Sequence, residues 1–176
     1  QQDPVGLVTF DEKVRAVLPP KSKRSQLGNV LSHLAKLRPA GPTDLGRSLQ
    51  QFASILRHRS LAMLFSDLLG PPEPVRDALR RLRHQGHDVI LFHVLDEAEV
   101  SFPFEGHIEF EEGETERTVT VDADQRRADY RERVQAFRDT YKRECWQIGV
   151  DYVPLDTSMP FDKALMEYLL SRRARC

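Results

Sequence analysis

Two largely apolar runs, the continuous Leu61–Phe65 (LAMLF) and Val89–Leu95 (VILFHVL), interrupted only by His93, constrain this chain more than any other feature. Each is too short for a core helix, and neither alternates as a strand with one wet face would. Such runs belong to strands covered on both faces, the pattern of parallel sheets. The segment between them fits a crossover helix. Pro71, Pro72 and Pro74 mark its start, Val75, Leu79 and Leu82 share one face, and Gly86 suits its C-terminal cap. Strand, helix, strand in that order predicts a mostly parallel α/β sheet with helices on its faces.

The rest of the chain extends this pattern. Val5–Phe10 (VGLVTF) is a further buried strand, and Val14–Leu18 an outer hairpin partner expected to stop at Pro19-Pro20. Leu27, Val30, Leu31, Leu34 and Leu37 predict an amphipathic helix from about Lys23 to Leu37. After a loop from Pro39 to Pro42, a second helix carries Leu45, Leu49, Phe52, Ala53 and Leu56 on one face. A solvent-facing hairpin around Glu112-Gly113-Glu114 makes an insertion at about 100–121. A charged helix from Ala123 to Ile148, a short strand Asp151–Leu155 and a closing helix from Phe161 to Arg172 complete the series. A length of 176 residues predicts a single domain across 1–176.

Composition excludes several classes. Lys and Arg number 26 against 27 Asp and Glu, a formal net charge of -1, so no basic surplus exists to displace counterions from nucleic acid. A hydrophobic content of 40% is too high for a disordered chain. No apolar run approaches the ~18 residues of a membrane span. Cys145 and Cys176 form neither a disulfide framework nor a metal motif, which fits the cytoplasm.

Ligands of open parallel sheets bind outside the carboxyl ends of the strands. Asp11, Asp67, Asp96 and Asp156 each follow a strand there, and with hydroxyls they would suit a hard cation such as Mg²⁺. Asp11 reads simply as a turn residue. Ser66-Asp67 follows the apolar run LAMLF directly and has the strongest claim. Thr43, in Gly41-Pro42-Thr43-Asp44-Leu45-Gly46, opens a helix and is equally a candidate N-cap. His93 reads as a hydrogen-bonded core histidine, and Cys145 as buried packing. Arg126, Arg127, Arg131, Arg133 and Arg138 read as a solvated, salt-bridged helix face, and Arg172, Arg173 and Arg175 as a frayed tail. No P-loop, G-x-S-x-G elbow or H-E-x-x-H is present. The expectation is therefore a non-enzymatic protein; the alternative is a metal-assisted hydrolase or phosphotransferase on the rim of Asp67, Asp96 and Asp156.

VGLVTFDEKV, GPTDLGRSL, LAMLFSDLL, GHDVILFHVLD and the closing LDTSMPFDKALMEYLLSRR together resemble the bacterial domain-of-unknown-function family fifty-eight, whose members contain a von Willebrand factor type A-like domain. The resemblance implies a doubly wound sheet with a metal-ion-dependent adhesion site. Thr43 would match its second-loop threonine and Asp67 its third-loop aspartate, with Ser66, Asp44 and Asp96 supporting them. The D-x-S-x-S loop of that site is absent, and Val5–Phe10 resembles the family's second strand. The first strand and its helix are thus expected upstream of Gln1. Their place in the sheet would be bare in this chain, an edge open to a homodimer or to rearrangement. The resemblance also implies a protein partner, a MoxR-type AAA+ ATPase, in chaperone-like assembly.

Overall fold

The computed structural model describes residues 3–38, 41–111 and 118–173. Residues 39 and 40, the hairpin tip Glu112-Gly113-Glu114, Arg175 and Cys176 lie outside that set. The chain divides into two compact units, Gln1–His58 with Gly70–Arg81, and Arg59–Leu69 with Leu82–Cys176.

In the first unit β1 (Val5–Phe10) and β2 (Val14–Lys21) form an antiparallel ribbon. Contrary to the expected stop, β2 runs through Pro19-Pro20. Among the described residues β2 pairs with β1 alone, so prolines that lack an N–H are tolerated on its outer side. The register shifts between the Val5 and Leu7 pairings, where the prolines enter. Helix α1 (Ser25–Leu34) is shorter than its periodicity predicts. The N–H groups of Lys36 and Leu37 reach back three residues, to His33 and Leu34, tightening the chain out of α geometry. Its leucines are also not the buried set: Leu27, Leu31 and Leu34 are exposed. Gln26 is buried instead, its amide donating to the carbonyls of Val5 and Pro19 at 2.8 and 3.0 Å. Helices α2 (Leu45–Ile55) and α3 (Pro72–His84) bury the faces predicted for them, Leu45, Leu49 and Ala53 on one, Val75 and Leu79 on the other. Gly46 lies directly against Pro74, where a Cβ would collide with the proline ring.

The second unit holds the parallel sheet, ordered β3 (Leu61–Ser66), β4 (Asp88–Leu95), β7 (Asp151–Asp156). Central β4 is buried on both faces. Ile90 and Phe92 meet Val153 and Tyr168 of α6 (Phe161–Arg173). On the opposite face His93 meets Phe137 and Tyr141 of α5 (Ala123–Ile148). Pro154 sits on β7, an edge strand. Short α4 (Glu97–Ser101) follows β4, and the hairpin β5 (His107–Glu111) with β6 (Thr118–Asp122) precedes α5.

Strand β3 departs from expectation. Ala62 and Leu64 are buried, but Leu61, Met63 and Phe65 on its other face are 47%, 53% and 50% exposed. The apolar run is covered on one side only. Among the described residues β3 pairs with β4 and β1 with β2, and neither has a second neighbour.

Candidate functional site

Asp67 is held by a tightly specified turn at the carboxyl end of β3. The Ser66 hydroxyl accepts from the Leu68 N–H at 3.1 Å, and the Asp67 Oδ1 accepts from the Leu69 N–H at 3.1 Å. Leu68 takes a positive φ of 60° and is fully buried, so the turn is anchored by its own apolar side chain. Behind it stands His93, 1% exposed, whose Nε2–H donates to the Asp67 carbonyl at 2.9 Å. Its Nδ1 accepts from the Tyr152 hydroxyl at 2.7 Å. Burial pulls the His93 pKa down to about 4, partly opposed by the Asp67 carbonyl and assisted by the positive charge of Arg138. The ring is therefore neutral at physiological pH, the core histidine expected, and it positions the turn that displays Asp67. The link to Asp67 was not legible beforehand, because it depends on the parallel register that sets Ser66 opposite His93.

Thr43 and Asp44 belong to the other unit. The structure gives the N-cap of α2 to Asp44, not to Thr43: the Asp44 carboxylate accepts from the Arg47 N–H at 2.9 Å. Thr43 is exposed, free of the capping role that competed with ligation. The loop is tied to the β1–β2 turn, with the Asp11 carbonyl accepting from the Asp44 N–H and from the Ser48 hydroxyl. Asp11 itself pairs with Arg15 and accepts from the Lys13 N–H, the turn role expected of it.

The remaining rim carboxylates are occupied locally. Asp96 caps α4 in a reciprocal box. Its Oδ1 accepts from the Ala98 N–H, its own N–H donates to Glu99, and its Oδ2 accepts from the Thr157 hydroxyl at 2.9 Å. The Ala98 amide, then the Thr157 hydroxyl, hold its pKa below the usual carboxylate range. Asp156 accepts from the Ser158 N–H at 2.8 Å. Cys145 is buried, its thiol pushed up to about 12 by that burial, so it packs rather than attacks.

Among the described residues no group of three His, Cys, Asp or Glu side chains is placed to hold a metal ion. Thr43 and Asp67 supply one hydroxyl and one carboxylate, and Asp67 already spends Oδ1 on Leu69. This donor set alone does not fit a divalent ion. Nor is any helix among the described residues long and apolar enough to cross a membrane.

Comparison with known proteins bears on the fold. Residues 1–140 match the family described as "Protein of unknown function DUF58". No curated protein matches significantly. The chain is similar to the crystal structure of the conserved hypothetical protein BatB from Bacteroides thetaiotaomicron, with 12% identity and a TM-score of 0.60 over 100% of this chain and 82% of that one. The α/β architecture, with its parallel β3-β4-β7 sheet flanked by helices, is von Willebrand factor type A-like, as the sequence led one to expect.

Proposed function

We propose, from the premise that this chain belongs to the DUF58 family, that it is a non-enzymatic protein-interaction module working at or beside the Asp67 turn. Strand β3 carries the reading: among the described residues one side has no neighbour, one face leaves Leu61, Met63 and Phe65 half exposed, and the far end displays Asp67. An extended partner segment added there gains backbone hydrogen bonds and covers that apolar face. The sequence resemblance suggests the class of physiological partner, a MoxR-type AAA+ ATPase in chaperone-like assembly. Without that partner, the same edge pairs with a second copy of the chain. The adhesion-site version of this reading would need oxygen donors beyond Thr43 and Asp67, so no step is assigned to an ion. The hydrolase reading has no observation in its favour, since Asp67, Asp96 and Asp156 each serve a neighbouring backbone N–H.

Size-exclusion chromatography with light scattering tests this. The wild type is expected as a dimer in both Mg²⁺ and EDTA. Met63→Lys, which places a charge on an already exposed position, is expected as a folded monomer that has also lost capture of the purified ATPase. A wild-type monomer that fails to bind the ATPase would refute the proposal. A dimer abolished by EDTA would move the contact to a cation.

A further inference from the structure

Helix α1 belongs to the first unit, not to that of β3, and its surface is independent of how that strand is used. Its packing is inverted for an amphipathic helix. Gln26 is buried, with Val30 and His33 half-buried on the same face, while Leu27, Leu31 and Leu34 recur at i, i+4 and i+7 on the face beside it. These leucines are 67%, 56% and 44% exposed, and Leu37, in the tightened turn beyond them, is 41% exposed. The helix thus turns its apolar stripe outward.

The charge around that stripe has one sign. From Lys13 to Thr43 the chain holds seven Lys and Arg and no Asp or Glu. Lys23 and Arg24 precede the stripe and Lys36 and Arg38 follow it, all four exposed and without an ion pair among the described residues. The surplus extends to the whole unit. With every carboxylate counted, hydrogen-bonded or not, residues 1–58 and 70–81 hold 12 Lys and Arg against six Asp and Glu, a formal charge of +6. The rest of the chain holds 14 against 21, a formal charge of -7, so the net of -1 conceals two oppositely charged units.

A nucleic acid would satisfy these cations but leave the leucines in water. A second α1 would cover the leucines but set cation against cation. An anionic bilayer surface answers both. Leucines enter the boundary between headgroups and acyl chains, and Lys and Arg at either end of the stripe reach back to the charged headgroups. No other side chain among the described residues holds the four cations in place. That freedom suits a laterally uniform layer of negative charge better than the fixed carboxylate pattern of a folded partner. We propose that α1 lies in the plane of an anionic membrane surface, its leucine stripe inserted and its flanking Lys and Arg on the headgroups.

The test is co-sedimentation of the whole chain with two kinds of vesicle, phosphatidylcholine alone and phosphatidylcholine mixed with phosphatidylserine. Binding to the mixed vesicles is expected, with at least fivefold less to the neutral ones. Raising the ionic strength from about 0.1 to about 1 M, which shortens screening from about 10 to about 3 Å, should weaken it further. Lys23→Gln with Arg24→Gln should cost at least fivefold on the mixed vesicles. Leu27→Ala with Leu31→Ala should cost at least about tenfold there. Alanine keeps the helix and both positions are already exposed, and circular dichroism reports the fold of each variant. Equal binding to both vesicle types, or none at millimolar lipid, would overturn the proposal. So would binding unchanged by the paired leucine substitution, which would leave charge alone at work. If a duplex oligonucleotide binds and the vesicles do not, α1 belongs to a nucleic-acid surface and the lipid assignment fails.

Discussion

Acidification from pH 6.5 to about 4 is expected to remove about 3 kcal/mol of stability through His93 alone. In the unfolded chain this imidazole takes up its proton near pH 6.5; in the folded chain it resists until about 4. Between those values the unfolded state binds more protons, so stability rises with pH across the window. The contribution is complete above 6.5 and gone below about 4. Geometry explains the resistance. Nε2 already donates to the Asp67 carbonyl and Nδ1 accepts from Tyr152, while the ring lies among Phe137, Tyr141 and Tyr152 at centroid distances of 5.3 to 5.9 Å. A second proton would enter a nearly closed aromatic box with Arg138 close by. Denaturant melts across this window, compared with His93→Gln, isolate the effect. Glutamine can serve both hydrogen bonds without titrating, so the variant should start less stable and fall less steeply. Parallel curves for the two proteins would show that His93 is not responsible.

The second large effect lies in the other unit and turns on a single methyl group. Gly46→Ala is expected to destabilise by about 1–3 kcal/mol, the usual cost of overpacking. Alanine is intrinsically the better helix former, by up to about 1 kcal/mol, so the backbone alone would predict a gain. The gain is overridden because the new Cβ would meet Pro74 Cβ and stand 3.3 Å from the Pro74 carbonyl carbon, neither of which can swing away. Gly28→Ala in α1 makes the matched control. Nothing lies within 4 Å of its added Cβ, so the same substitution should stabilise by about 0.5–1 kcal/mol. Thermal melts of the two variants should move in opposite directions, and movement in the same direction would show that the Pro74 contact is not decisive.

These sites show what the sequence could disclose. Strand β4 and helix α3 were legible because periodicity and flanking proline and glycine agreed. Strand β3 was legible as a strand but not as a half-bare one, since LAMLF has the same composition whether one face or two are covered. Pro19-Pro20 misled because a proline ends a central strand, whereas β2 is at an edge. Helix α4 escaped notice because five residues cannot display a helical period; its signal was the Asp96-Glu97-Ala98-Glu99 capping pattern. Thr43 and Asp44 are adjacent side chains that can both cap a helix, and only coordinates decide between them. Asp67 could be placed at a strand end, but the histidine that fixes its carbonyl comes from a neighbouring strand.

The proline on β7 bears on how far strand addition can go. Among the described residues the parallel sheet has one margin that carries proline, Pro154 on β7, and one margin, β3, that does not. Recruitment through the parallel sheet therefore has a valence of one. A molecule that docks along β3 leaves the proline-bearing β7 margin on the far side of that sheet, so strand addition through the parallel sheet stops at one added segment.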